Sequence, residues 1–133
     1  MAPKKSPGGS AFPYNYKGAE IFGLHLGSFG ADEAGLLARM KGEEVFIADT
    51  YKHFPLWIDF YQTKLTDTVL DEFLHGMQRV QGRINKLALY GVSRRDQRRI
   101  RQAAKKTGIE FPFPLKFFDD PEVAKTWLVS EAA

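Results

Sequence analysis

Leu56–Phe73, LWIDFYQTKLTDTVLDEF, is the stretch whose reading decides the fold. Leu56–Phe60 is a short apolar run of strand type, Tyr61–Leu65 is a more polar turn, and from Thr66 the apolar residues fall at helical spacing. Val69, Leu70, Phe73, Leu74 and Met77 form one stripe, which predicts an amphipathic helix over Thr66–Val80 closed by Gly82. A strand that runs through a turn into such a helix is a βα step.

Working toward the C-terminus, the same step recurs. Lys86–Tyr90 reads as a buried strand ending at Gly91, and Ser93 with Asp96 three residues on makes a helix-capping signature. The helix that follows, over residues 93–107, ends at Gly108, with Ile100, Ala103 and Ala104 as its thin apolar face. FPFP at 111–114 is an extended link to a strand at Leu115–Phe118, and Pro121 at a first-turn position opens a last helix with Val123, Trp127 and Leu128 directed inward. Three βα units with helical connections imply parallel strands joined by right-handed crossovers.

Toward the N-terminus the pattern differs. Glu44–Asp49 reads as a strand only six residues from Leu56, too short a link for a parallel crossover, so these two strands are expected as antiparallel neighbours. Ala31–Met40 reads as a short helix and Ala19–Leu26 as a strand, with His25 inside it as a structural residue. Residues 1–18 read as a flexible N-terminal tail and 19–133 as one α/β domain, with helices packed on a mixed sheet. The expected class is therefore α/β, with antiparallel N-terminal strands preceding three C-terminal βα units.

Composition sets the outer bounds. With 133 residues, 44% of them hydrophobic and 14% aromatic, the chain can bury about two-thirds of its unfolded surface in a single core. It has no cysteine, which excludes disulfides, thiolate metal sites and a cysteine nucleophile. No apolar run is long enough for a membrane span, and MAPKKSPGGS lacks the apolar stretch of a signal peptide, so a cytoplasmic location is expected. The net charge of +3 hides a strong local asymmetry. Arg94, Arg95, Arg98, Arg99, Arg101, Lys105 and Lys106 face one acid, Asp96, within residues 93–106, while the rest of the chain is net acidic.

Like charges at Arg94–Arg98 and Arg95–Arg99 repel along a helix, so this cluster is either a solvated face or a docking surface. A protein partner with an acidic surface, or a small anion, suits it better than nucleic acid, because no aromatic residue is interleaved between Val92 and Glu110. Asp49, His53 and Asp59 invite an acid–base reading, but in an antiparallel pair the two aspartates would lie at opposite edges, about 15 Å apart. His25, His53 and His75 have no ligand spacing, and GSFG at 27–30 lacks the residues of a phosphate loop. No catalytic residue, metal or cofactor is therefore expected. The many Phe residues leave a pocket for an apolar small molecule as a further alternative.

The order of elements and three strings resemble the STAS domain of anti-sigma factor antagonists over roughly residues 19–129. The strings are Asp59 followed eight residues on by Asp67-Thr68, the strand KLALYGV, and the terminal KFFDDPEVAKTWL. The resemblance implies a non-enzymatic regulatory or protein-interaction module, docking through the helix start at 66–71 and the basic helix 93–107. It makes Thr68 the phosphoacceptor, with Thr66 a near competitor and Asp59 and Asp67 the turn acids. The residues themselves also allow both threonines to be helix caps, Thr68 with Asp71 in a capping box, and Asp67 and Asp71 would repel a phosphate.

Overall fold

From Ala19 onward each strand is laid beside the one before it. The structure, a computed structural model, describes residues 4–9, 11–12 and 14–131. In chain order these form β1 (Lys4–Lys5), β2 (Ala11–Phe12), β3 (Tyr14–Tyr16), β4 (Ala19–His25), α1 (Glu33–Thr50), β5 (Phe54–Asp59), α2 (Asp67–Arg79), β6 (Ile84–Tyr90), α3 (Arg94–Thr107), β7 (Leu115–Phe118) and α4 (Pro121–Val129). A 3₁₀ turn, Gln81–Arg83, joins α2 to β6. The main sheet has the order β3-β4-β5-β6-β7, with β3 antiparallel to β4 and every later pair parallel.

Because the strand order never reverses, right-handed crossovers put α1, α2 and α3 on the same face. Alternate strand residues fill that side: Phe22, Leu24, Leu26, Leu56, Ile58, Phe60, Leu87 and Leu89 meet Leu36, Ile47, Ile100 and the α2 stripe. All five residues of that stripe, Val69 to Met77, are buried. On the opposite face Ile21, Trp57 and Ala88 meet Ala124, Trp127 and Leu128 of α4. Val123, expected inward, is 54% exposed, because the face at Ala124, Trp127 and Leu128 turns its predecessor outward.

The expected antiparallel pair of Glu44–Asp49 with Leu56–Phe60 does not exist. Residues 44–49 are the second half of α1, and β5 instead pairs parallel with β4, from Phe22↔Leu56 to His25↔Asp59. The helix is continuous because Leu36, Met40, Glu43 and Ile47 recur at i, i+4, i+7 and i+11, and Leu36, Glu43 and Ile47 are buried. The inward position held by a charged Glu43 disguises that stripe. Eighteen helical residues then supply the crossover that two parallel strands require.

The stretch read as a tail also carries structure where it is described. β1 pairs with β2 and β3 pairs with β4, while residues 1–3, 10 and 13 of that stretch lie outside the described residues. Phe12 is buried, edge-on to Phe22 at 5.2 Å and to Phe54 at 5.2 Å. Gly8 N–H donates to Glu43 Oε1 at 2.5 Å, and Gly42 leaves room on α1 for Pro7, which a Cβ would meet at 3.3 Å. Aromatic and hydrogen-bonded contacts with distant residues thus give this segment the apolar burial that it lacks alone.

Pro55 sits in a central strand, where its missing N–H would break the ladder; the register shift between Phe54 and Pro55 accommodates it. At the other end of the strands, the loops after β4 and β5 prolong the pairing. Ser28 N–H donates to Tyr61 O at 2.6 Å, Gly30 N–H to Gln62 O at 2.9 Å, and Lys64 N–H to Gly30 O at 2.8 Å. Thr63 Oγ1 adds a bond to Leu26 O at 2.8 Å. Ser28 and Gln62 adopt positive φ, 64° and 51°, within this zipped pair of loops.

Candidate functional site

The helices α2 and α3 lie side by side, and their first turns open at the ends of β5 and β6, so residues read as candidates from two distant stretches come to one end of the molecule. Asp59 ends β5, and its Oδ1 accepts from Tyr61 N–H at 2.7 Å, which turns the chain out of the sheet. Leu65 is buried below the next turn, and Thr66 is the N-cap of α2, accepting from Val69 N–H at 3.2 Å. The Thr66 hydroxyl also donates to Glu33 Oε1 at the start of α1. Both roles of that hydroxyl are occupied.

Thr68 is two residues into the helix and exposed, so it is not the cap that pairing with Asp71 suggests. Asp71 instead faces His75, whose Nδ1 lies 3.4 Å from Asp71 Oδ1. Asp67 extends into solvent and meets Arg99 Nη2 at 2.6 Å. Asp59 and Asp67 are thus engaged with different partners, the first in a turn and the second in an ion pair.

Arg99 is a structural tie. Its Nη1 donates to Leu65 O at 2.6 Å and to Asp96 Oδ1 at 2.8 Å, and its Nη2 reaches Asp67. The hydrogen bonds to Asp96 first, and to Asp67 second, raise its pKa further above the ordinary arginine value. Arg101 lies over the ring of Phe117, 5.0 Å from its centroid. Arg94, Arg95 and Arg98 are exposed and have neither ion pair nor hydrogen bond among the described residues. The basic cluster therefore divides: Arg99 holds α3 to the start of α2, Arg101 rests on β7, and three guanidinium groups remain open to solvent.

Helix stability does not account for that placement. Ser93 caps α3, accepting from Asp96 N–H at 3.1 Å, which puts Arg94 and Arg95 in the first turn, where the helix dipole disfavours cations. Between the two helices runs an open groove lined by Leu70, Asp71, Ala103, Lys106 and Thr107, among others. Its volume is about 630 Å³.

The residues considered for acid–base chemistry are not assembled. Asp49 is near the C-terminal end of α1 and His53 just precedes β5, whereas Asp59 ends that strand, about 20 Å from His53 at the usual strand rise. Among the described residues, no group of three or more His, Asp or Glu is close enough to hold a metal ion. No described helix is long and apolar enough to cross a membrane. Two members of the site escaped the sequence reading. Glu33, the partner of Thr66, is 33 positions away, and Leu65 O, the partner of Arg99, is 34 away. Only the parallel pairing of successive strands brings those helix starts together. No family model, curated protein or solved structure matches the chain.

Proposed function

We propose that this protein is a non-catalytic regulatory module, STAS-like in its order of elements, that docks an acidic protein partner on the surface formed by the start of α2 and the exposed side of α3. The observation that carries this reading is the set Arg94, Arg95 and Arg98, exposed and without a carboxylate among the described residues, on a helix whose dipole and like charges disfavour them. Exposed Thr68 at the neighbouring helix start is where a phosphate would change that surface. Thr66 is a poorer acceptor, since its hydroxyl caps α2 and bonds Glu33.

The test is an affinity pull-down comparing the full chain with an Arg94/Arg95/Arg98→Glu variant, keeping Arg99 because it ties two helices. The expected result is a protein captured by wild type at moderate salt and lost by the variant. Identical capture by both would overturn the arginine surface. Nucleic acid in place of protein, with binding that falls steeply as salt rises, would assign the same surface to a phosphate backbone instead.

A further inference from the structure

The sheet face opposite α1–α3 is only partly covered. The nine residues of α4 close one part of it, and beside them Ile21, Gly23, His25 and Trp57 of the sheet, Tyr14 of the edge strand and Lys125 of α4 line an open pocket. Its volume is about 290 Å³. Three properties define what it can hold.

The first is a flat floor. Gly23 lies inside β4, where glycine weakens a strand, and its missing Cβ, which would meet Trp57 Cε3 at 3.2 Å, lets the Trp57 ring lie close against the strand while both residues line the pocket. The second is the aromatic character of the walls. His25 stands edge-on to Trp57 at 5.6 Å, and Trp57 continues in a stack through Tyr90, 6.2 Å away at 19°, to Tyr61, 6.4 Å further at 21°. The third is charge. Lys125 Nζ lies 5.1 Å from the Trp57 ring, 5.6 Å from Tyr14 and 6.0 Å from Tyr16, and among the described residues it meets no carboxylate or hydrogen-bond acceptor. Glu122, the acid in the first turn of α4, is taken by Tyr16 Oη at 2.7 Å. Among the described residues no acid lines the pocket, and neither Tyr14 Oη nor the His25 ring makes a hydrogen bond.

We propose that this pocket binds a small planar aromatic molecule bearing one carboxylate. The ring of the ligand packs against Trp57 beside Gly23, and its carboxylate meets the Lys125 ammonium, with Tyr14 and His25 as further donors. Apolar walls with a few convergent polar groups are the usual make-up of a small-molecule site. A cavity of about 150 Å³ suffices for benzene, so this larger one takes a two-ring system with a short acidic arm. The site is separate from the α2–α3 surface, and its test does not depend on that reading.

The experiment is a titration of the full ¹⁵N-labelled chain with indole-3-acetate, and in parallel with indole as the uncharged probe, followed by ¹H–¹⁵N correlation spectra. Expected are shifts centred on Gly23, His25 and the Trp57 indole N–H, with indole-3-acetate binding about tenfold more tightly than indole. Lys125→Gln is expected to remove that preference, bringing the two probes to about equal affinity. Gly23→Leu is expected to block both probes; since it also crowds Trp57 against β4, Lys125→Gln, at a partly exposed helix position, carries the charge assignment independently. Absence of shifts at these residues at millimolar indole-3-acetate, or equal affinity of wild type and Lys125→Gln for it, would overturn the proposal.

Discussion

The two faces of the sheet are built to different standards. Beneath α1–α3 the strands present Phe22, Leu24, Leu56, Ile58, Leu87 and Leu89, all nearly inaccessible, to three helices. Under α4 the corresponding positions hold Ile21, Gly23, Trp57 and Ala88, a mixture of small and very large residues beneath one short helix. The first arrangement fills space and specifies the fold. The second leaves a rim of aromatic and cationic groups, with Lys125 over the Trp57 ring, that contributes less to packing.

The largest effect expected from this contrast is on the three-helix side. Phe73→Ala, at a residue 2% exposed and edge-on to Phe60 at 5.3 Å, is expected to cost about 3–5 kcal/mol in urea denaturation. A cost below that of Trp127→Ala would invert the ranking of the two faces. Trp127→Ala is expected to cost about 2–3 kcal/mol, less than a fully enclosed tryptophan, because the ring lies partly under Lys86 and Lys116. Its signature is faster amide exchange confined to α4 and the strands beneath it; acceleration throughout α1–α3 would show that the faces are not separable.

A third comparison divides the basic helix. Arg99→Ala removes the ties to Leu65 O, Asp67 and Asp96 and is expected to lower stability by about 1–2 kcal/mol, whereas Arg94→Ala is expected to change it by less than about 0.5 kcal/mol. Thermal melts of the two variants check this directly, and equal shifts would erase the distinction between tying and free arginines.

The smallest effect is a slope with pH. Burial raises the Glu43 pKa above 4.5, although Gly8 N–H, Ser6, Arg39 and His25 each pull it back. The folded chain therefore holds this proton more tightly than the unfolded chain, and stability falls as pH rises from about 4.5 through the raised value. Glu43→Gln is expected to remove that part of the decline. An unchanged profile of unfolding free energy between the two proteins would show that the carboxylate is charged in its buried site at no cost.

Much of this fold is legible in the residues. The change of period at Thr66, the caps at Ser93 and Gly108, and Pro121 at the opening of α4 act locally, so reading them needs no knowledge of distant partners. Leu115–Phe118 forms β7 with the boundaries its apolar run suggests. The first half is harder to read. Val45, Phe46 and Ile47 favour a strand, and only the packing of Glu43 against Gly8 reveals that the stripe inside α1 passes through a charged residue. Phe12 likewise finds its partners at Phe22 and Phe54, beyond any local pattern. For the candidate surface, charge density marks the arginine helix, but which arginine is a tie depends on contacts 32 to 34 positions away.

The unbroken strand order also bears on how the chain acquires its shape as it is synthesised. From β4 onward each new strand adds to the edge left by its predecessor, and its connecting helix settles on the face already begun, so growth needs no insertion between strands already paired. In that sequence the segment that shields the opposite face comes after every strand of the sheet, since α4 follows β7. Trp57 and its aromatic neighbours are therefore the part of this sheet that waits longest for cover, and the part whose exposure most directly reports an undocked α4.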